Sequence, residues 1–365
     1  MILDRIKQFF FQKKLKQFLE RFEWMFMPLM LLFGVSTDFY AFQTLDIAWV
    51  FYWLGLHIVL AGIYIAILNR PPSKSRWMRY IRLVTPLLLQ LSFGALLNAS
   101  LVFYWFSGAL SVSWFFFVVI LILMVSNDVF RHYFVKPTVQ LGVYFFALFS
   151  VFALILPFLV NSIDPFVFVA AGAGSVVFFL AYLFILSRFC SVVRSIRSHA
   201  LIILFVIFAI MNTLYFLNLI PPIPLSLREA GVYHSISRVG DGYQLLGEQK
   251  SWISQFLPGE TIHVFPAEKV YVYTSIFAPD KLKTTIVHHW EFYDETKKVW
   301  IDKDYLSFAM NGGRNAGYRG YSFKYDLAPG KWRVTVETAR GQVLGRVGFD
   351  VLLVTARSPL QQIKK

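Results

Sequence analysis

Cysteine is almost absent from this chain, and charge is scarce. Among 365 residues there is one cysteine, Cys190, and 15% are charged against 57% hydrophobic. A lone cysteine excludes an internal disulfide framework and any zinc site built on several thiolates. Soluble domains carry roughly a quarter charged residues, so the chain lies outside that class. Charge is also missing from particular places. Lys and Arg are absent around Asp46, Ser107 and Asp164, and no Asp, Glu, Lys or Arg lies near the middle of a long apolar run. Proton- or ion-coupled transport normally needs ionisable groups at mid-bilayer, where each costs roughly 2.5–3.5 kcal/mol. Their absence favours a scaffold or anchor over a transporter.

What is present is a series of apolar runs. A hydrocarbon core of about 30 Å takes about 20 mostly apolar residues per helix. Seven stretches qualify, at 24–42, 47–68, 83–105, 108–130, 138–160, 166–186 and 200–220, the first interrupted by Ser36, Thr37 and Asp38. All 16 Lys and Arg before Pro221 fall in the N-terminal tail or in the second, fourth and sixth connections. Cytoplasmic loops retain Lys and Arg, so the N-terminus is expected inside and everything after Ile220 outside. The net charge of +14 is therefore read as a topology signal and not as a nucleic-acid footprint.

Residues 1–21 place Ile2, Ile6, Phe9, Phe10, Leu15, Phe18 and Leu19 at helical spacing beside Lys7, Lys13, Lys14 and Lys16. No small-residue cleavage site follows, so the segment reads as an amphipathic cytoplasmic tail, or a plain basic tail, and not as a signal peptide. Residues 22–220 form the expected transmembrane domain. Pro221, Pro222 and Pro224 end its last helix, because proline has no amide donor. A linker over 221–231 leads into 232–354, where the periodicity becomes that of strands. Alternation and β-branched or aromatic residues predict strands at 269–277, 284–293, 298–301, 305–309, 321–325, 331–338 and 343–351. Trp332, Val334 and Val336 alternate with Arg333, Thr335 and Glu337, giving one buried and one wet face. The fold class is a membrane α-helical bundle of about seven transmembrane helices followed by an all-β, sandwich-like soluble domain. Residues 355–365 are expected to be a disordered basic tail.

Several short motifs recur within this region. They are His288-His289-Trp290, Gly312-Gly313-Arg314, Gly317-Tyr318-Arg319, Gly330-Lys331-Trp332-Arg333-Val334, Glu337-Thr338, Gly341-Gln342, Gly345-Arg346 and Phe349. In order and spacing they resemble an uncharacterised bacterial family, the domain of unknown function numbered twenty-nine fourteen, over about 270–351. The resemblance implies a module of bacterial envelope proteins behind a multi-span membrane region. It brings no activity, cofactor or catalytic residue. It places the chain in a bacterial inner membrane, with the β-domain periplasmic or otherwise extracytoplasmic.

The segment Gly312–Gly320 is the most distinctive candidate site. Arg314 and Arg319 offer forked donors that match carboxylate or phosphate, and Tyr318 offers an aromatic face. His288 and Trp290 share one strand face. Together these five suit an anionic envelope glycan, a lipid head group or a protein partner. The competing reading is a strand connection whose glycines supply positive φ, with its arginines paired to Glu291, Asp302, Asp304 or Glu337. His288 and His289 are adjacent in a strand and point to opposite faces, and His234 and His263 lack ligand spacing, so no metal is expected. No cofactor is implied, and no catalytic set stands out, which leans away from an enzyme. In the bundle, His57 is the titratable group nearest a midplane, and Gln90, Asn98 and Asn212 suit interhelical hydrogen bonds. The expected function is an anchored β-sandwich that binds an envelope ligand. The alternative is a lipid-handling enzyme or transporter with its site in the bundle and the β-domain as a lid.

Overall fold

The computed structural model describes residues 36, 40, 47–71, 75–107, 110–129, 136–221, 225–240, 242–249, 260–278, 282–312, 317–356 and 359–365. The chain divides into two compact units. One comprises Met1–Val102, Ile120–Val151 and Ser175–Ile207; the other comprises Phe103–Val119, Phe152–Gly174 and Phe208–Lys365. The helices are α1 (Ile47–Asn69), α2 (Arg76–Ser107), α3 (Leu110–Val129), α4 (Pro137–Val160), α5 (Pro165–Phe189), the short α6 (Ser191–Ser195) and α7 (Arg197–Phe216). Among the described residues, five helices are long and apolar enough to cross a membrane: Ala48–Asn69, Arg76–Phe103, Pro137–Val160, Pro165–Phe189 and Arg197–Phe216. They coincide with five of the seven expected spans. The expected first span falls almost wholly outside the described residues, and α3, at the place of the fourth, is not among the five.

In the first unit, some buried polar groups pair across helices. Asn69 Nδ2 donates to Gln140 Oε1 at 2.8 Å, and the Tyr182 hydroxyl donates to the Gly62 carbonyl at 2.8 Å. His57 is buried, with Nδ1 3.3 Å from Ser92 Oγ and its ring edge-on to Trp53. Asn212, in the second unit, departs from the interhelical role expected for it. Its Nδ2 donates to the Phe208 carbonyl one turn back in its own helix. The small residues of α5 permit close packing, since a Cβ on Gly174 would lie 3.0 Å from the Phe152 ring.

The strands are β1 (Ser226–Tyr233), β2 (Ser235–Val239), β3 (Gly242–Glu248), β4 (Glu260–Val264), β5 (Lys269–Phe277), β6 (Lys283–Asp294), β7 (Val299–Asn311), β8 (Tyr318–Tyr325), β9 (Gly330–Thr338), β10 (Val343–Leu353) and β11 (Leu360–Lys364). Several of them correct the sequence reading, β2, β3 and β4 among them, which lie before the first strand expected at 269. β1 begins inside the expected linker, and β11 lies in the expected disordered tail. β11 is held by antiparallel pairing with β3 from Leu360↔Glu248 to Lys364↔Gln244, and Lys365 pairs with Glu229. β7 runs unbroken where two strands were expected.

Among the described residues three sheets result, ordered β1-β5-β8, β4-β10-β9-β6-β7 and β11-β3-β2. The first two share one core, with Val232, Val270 and Val272 on one side and Trp290, Trp332, Val334, Val347 and Phe349 on the other. The third sheet packs Ile236 and Leu245 against Tyr233 and Tyr273 of the first.

β8 inverts the usual alternation. Its core-facing positions include Gly320 and Ser322, while Arg319, Tyr321, Phe323 and Tyr325 take the other face. The reason is the bulk opposite. A Cβ on Gly320 would lie 2.4 Å from Phe308 Cε2, so only glycine fits. Ser322 Oγ accepts from Trp290 Nε1 at 3.0 Å and lies 2.7 Å from His288 Nδ1. His288 Nε2 lies 3.0 Å from Thr274 Oγ1, which donates to the Gly320 carbonyl at 3.4 Å. Every group is satisfied if His288 is neutral with its proton on Nε2, since Ser322 then donates to Nδ1. Burial pushes the His288 imidazole down to about 4. Between that value and its ordinary one the unfolded chain binds the extra proton. Stability should therefore fall as pH drops from 6.5 toward 4, by roughly 3 kcal/mol if the whole shift is expressed. Urea unfolding across this range measures it, and His288→Gln should flatten the slope.

Candidate ligand-binding face

Among the described residues, those singled out from sequence do not meet in one concavity. Arg314 lies outside the described residues. His288 and Trp290 share a strand face, as expected, but that face is the core, and both are 0% exposed. Tyr318 also turns inward. Its ring is parallel to that of Phe308, and its hydroxyl donates to the Ala309 carbonyl at 2.9 Å. Arg319, next in the strand, takes the opposite face of β8, opposite Ser275 of β5.

That opposite face carries a stripe of aromatic rings. Tyr321 is 40% exposed, Phe323 38% and Tyr325 56%, high values for three large side chains in one strand. Strand pairing places Tyr271 of β5 beside them, 6.0 Å from Tyr321 and 5.3 Å from Phe323 between ring centroids. Tyr243 of β3 closes one end, 6.1 Å from Tyr321. At the other end the Lys269 ammonium sits 5.3 Å from the Phe323 centroid and 5.0 Å from that of Tyr325. A cation over two ring faces is held by their quadrupoles. Its hydrogen bond to Tyr325 raises the Lys269 pKa, so it is charged at neutral pH. Arg319 adds a second positive charge, felt at the Tyr273 hydroxyl. Contiguous exposed aromatic surface of this kind marks interaction sites in soluble modules. The sequence held the signal in the alternation Arg319, Tyr321, Phe323, Tyr325. Taking the aromatic positions of a strand as its buried side would conceal it.

A second concentration of charge lies on the outer face of the five-stranded sheet. Glu291 is buried and accepts from Arg333 Nε at 2.6 Å and Nη2 at 2.5 Å, and from Thr335 Oγ1 at 2.9 Å. Arg333 also stacks 4.2 Å from the Trp300 centroid. Burial alone would raise the Glu291 pKa, but Arg333 and Thr335 outweigh it, and the net shift is downward. His289, Glu291 and Asp302 bring ligand-type atoms within 4.8 Å of one another. Both Glu291 oxygens are nonetheless committed to the Arg333 fork, and a guanidinium beside the trio disfavours a metal cation. The arrangement serves as an ion-pair network. A third cluster was illegible in sequence because its members are far apart along the chain. His234 lies between Glu248 at 3.1 Å and Glu268 at 3.4 Å, and His263 Nδ1 is 2.8 Å from Glu248, which ties β3 to β4 and to the β1–β2 corner.

Comparison with known proteins agrees with the motifs. A family model described as "Protein of unknown function (DUF2914)" matches residues 283–351, from the start of β6 into β10. No curated protein matches the chain. Among solved structures, an immunoglobulin-like protein from Pseudomonas aeruginosa is 10% identical, covering 35% of this chain and 96% of its own, with a TM-score of 0.22. A β-glucosidase from Listeria innocua is 14% identical over 30% of this chain and 16% of its own, TM-score 0.19. An alkylpurine DNA glycosylase from Pseudomonas fluorescens, bound to DNA containing an abasic site analog, is 10% identical over 81% of this chain and 97% of its own, TM-score 0.23. Likenesses this distant carry no functional argument.

Removing one partner of a buried ion pair strands the other charge, at a cost of about 3–5 kcal/mol. Arg333→Ala should therefore destabilise the β-domain strongly at neutral pH. With its depressed pKa, Glu291 contributes stability above the ordinary carboxylate range and loses it as pH falls through its folded value. The drop in urea midpoint from pH 7 to pH 3 should be smaller in Arg333→Ala than in the parent chain, the part due to His288 remaining in both.

Proposed function

We propose that this chain is a multi-pass bacterial inner-membrane protein whose β-sandwich, held outside the cytoplasm, binds an anionic envelope glycan on the Arg319–Tyr325 face. The observation that carries the proposal is the inversion of β8. Three aromatic side chains are spent on the solvent side while glycine and serine face the core. Leaving that much apolar area in water forgoes about 25 cal/mol for each Å² that burial would recover. Such a surface is consistent with one kept for a ligand.

The chemistry of the face narrows the ligand. Tyrosine and phenylalanine rings accept the C–H faces of pyranose rings, and tyrosine hydroxyls add hydrogen bonds at the rim. Lys269 and Arg319 at the flanks favour a negatively charged polymer over a neutral one. The distribution of Lys and Arg among the loops supports the placement of this face outside the cytoplasm. The apolar helices then act as its anchor.

Binding of the full chain in detergent to an acidic cell-wall polysaccharide, read by calorimetry, is the first test. Phe323→Ala and Tyr325→Ala should each weaken it by about tenfold, the scale of a central contact. Lys269→Ala should flatten its dependence on salt. Equal binding by all variants would refute the assignment. Orientation is tested separately with a periplasm-active reporter enzyme fused after Lys365. Activity is the expected result, and an inactive reporter that becomes active when fused at a basic loop would reverse the topology.

A further inference from the structure

Three helix ends of the first unit meet at one corner: the end of α1, the start of α2 and the end of α5. Cys190, just past α5, has its Sγ 4.0 Å from the Ala66 carbonyl of α1. Arg82 of α2 reaches over the end of α1, where its Nη2 donates to the Leu68 carbonyl at 2.8 Å and also to that of Arg70. On the other flank Arg194 of α6 donates from Nε to the Ser187 carbonyl at 3.0 Å and from Nη2 to that of Arg188 at 3.4 Å. Helix C-termini leave carbonyls without partners and carry the negative end of the dipole, so these two arginines have a structural role.

Arg70 and Arg188 are placed differently. Each guanidinium lies over a ring, Arg70 5.5 Å from the Phe189 centroid and Arg188 4.8 Å from that of Phe184. Both rings are exposed, Phe189 at 60% and Phe184 at 49%, on a helix long and apolar enough to cross a membrane. An arginine over such a ring holds a cation directly above an apolar surface. The charge gathered here has no acidic counterpart. The sequence has no Asp or Glu between Asp46 and Asp128, nor between Asp164 and Glu229. Among the described residues, none of Arg70, Arg82, Arg188, Arg194 and Arg197 has a carboxylate partner. Like charges at one end of a bundle repel, and an anion between them removes the repulsion. Beyond Phe189 the same face of α5 continues through Ile185 and Phe178, both exposed. Four and eleven residues back, they lie within about 40° of Phe189 around the helix and extend about 16 Å along it, close to the roughly 15 Å of half a hydrocarbon core.

We propose that the corner of Arg70, Arg82 and Phe189 binds a phospholipid whose headgroup is net negative. This rests on reading α1, α2 and α5 as membrane spans, and is independent of the glycan assignment. The phosphate lies between the Arg70 and Arg82 guanidinia, whose forked donors match it, and Arg82 spends only Nη2 on carbonyls. One acyl chain runs along Phe189, Ile185 and Phe178. The surrounding arginines disfavour a headgroup that brings its own cation. The bound lipid supplies the negative charge that this end of the bundle lacks.

The test uses the full chain, stripped of lipid in a neutral detergent, with native mass spectrometry and thermal unfolding as readouts. Phosphatidylglycerol should bind more tightly than phosphatidylcholine and raise the melting temperature, and inorganic phosphate should do neither. Arg70→Ala should weaken phosphatidylglycerol binding about fivefold, the scale of one basic residue at an anionic surface. If that variant does not fold, Arg70→Gln, which keeps a polar side chain without the charge, reads the same loss. Arg197→Ala removes an exposed charge of the same sign at the start of α7 and should leave binding almost unchanged. Equal binding of the two lipids would overturn the proposal, as would binding of neither. So would an equal loss in Arg197→Ala and Arg70→Ala, which would mark diffuse surface charge, or a full response to inorganic phosphate alone, which would mark a free-anion site.

Discussion

The pair of hydrogen bonds that converge on Ser322 governs the architecture of the β-domain. Trp290 and His288 stand on neighbouring core positions of β6, and both direct a ring nitrogen at the same hydroxyl on β8. A buried tryptophan and a buried histidine each need a partner, and one small hydroxyl supplies both. Register follows from that meeting. In a strand a shift of one residue exchanges faces, so placing Ser322 inward places Tyr321 and Phe323 outward. Gly320 enforces the same register by sterics, since nothing larger fits under Phe308. The exposed aromatic stripe is thus a geometric consequence of how the core is filled, and its persistence on the surface is what needs a functional explanation.

The motifs that carry the family resemblance divide by physical role. His288, Trp290, Trp332 and Phe349 are core residues. His289, Arg333 and Glu337 lie on the outer face of the five-stranded sheet, where burial pushes the Glu337 carboxyl upward and Arg333 locks Glu291. Arg319 alone, among the described motif residues, lies on the aromatic face. The family signature is therefore mainly a record of how two sheets are held together. The stripe at Tyr321, Phe323 and Tyr325 belongs to a surface that the sheets present.

Much of this was legible in sequence, for reasons that differ by element. Apolar runs of 20 or more residues announce spans, because hydrocarbon tolerates nothing else. The five helices recovered lie on five of those runs. Strands such as β6 and β9 were legible because alternation with a buried face leaves a clear period. β11 was not, because Gln361, Gln362 and Lys364 read as a tail until β3 is there to pair with them. His288 and Trp290 were seen to share a face. Which face it was depended on a partner 32 to 34 residues away, and no local pattern contains that. The site residues missed, Tyr321 through Tyr325, were recognised as a strand but not as one worn inside out.

The claim most exposed to test is that β8 turns its aromatic side to solvent and that a ligand covers it there. Hydroxyl-radical footprinting of the full chain in detergent reads this directly, residue by residue. The account predicts strong modification of Phe323 and Tyr325 in the free protein, none at Trp290, and marked protection of Phe323 and Tyr325 when an acidic cell-wall polysaccharide is added. Phe323 and Tyr325 protected in the free protein, or labelled equally with and without the polysaccharide, would contradict it.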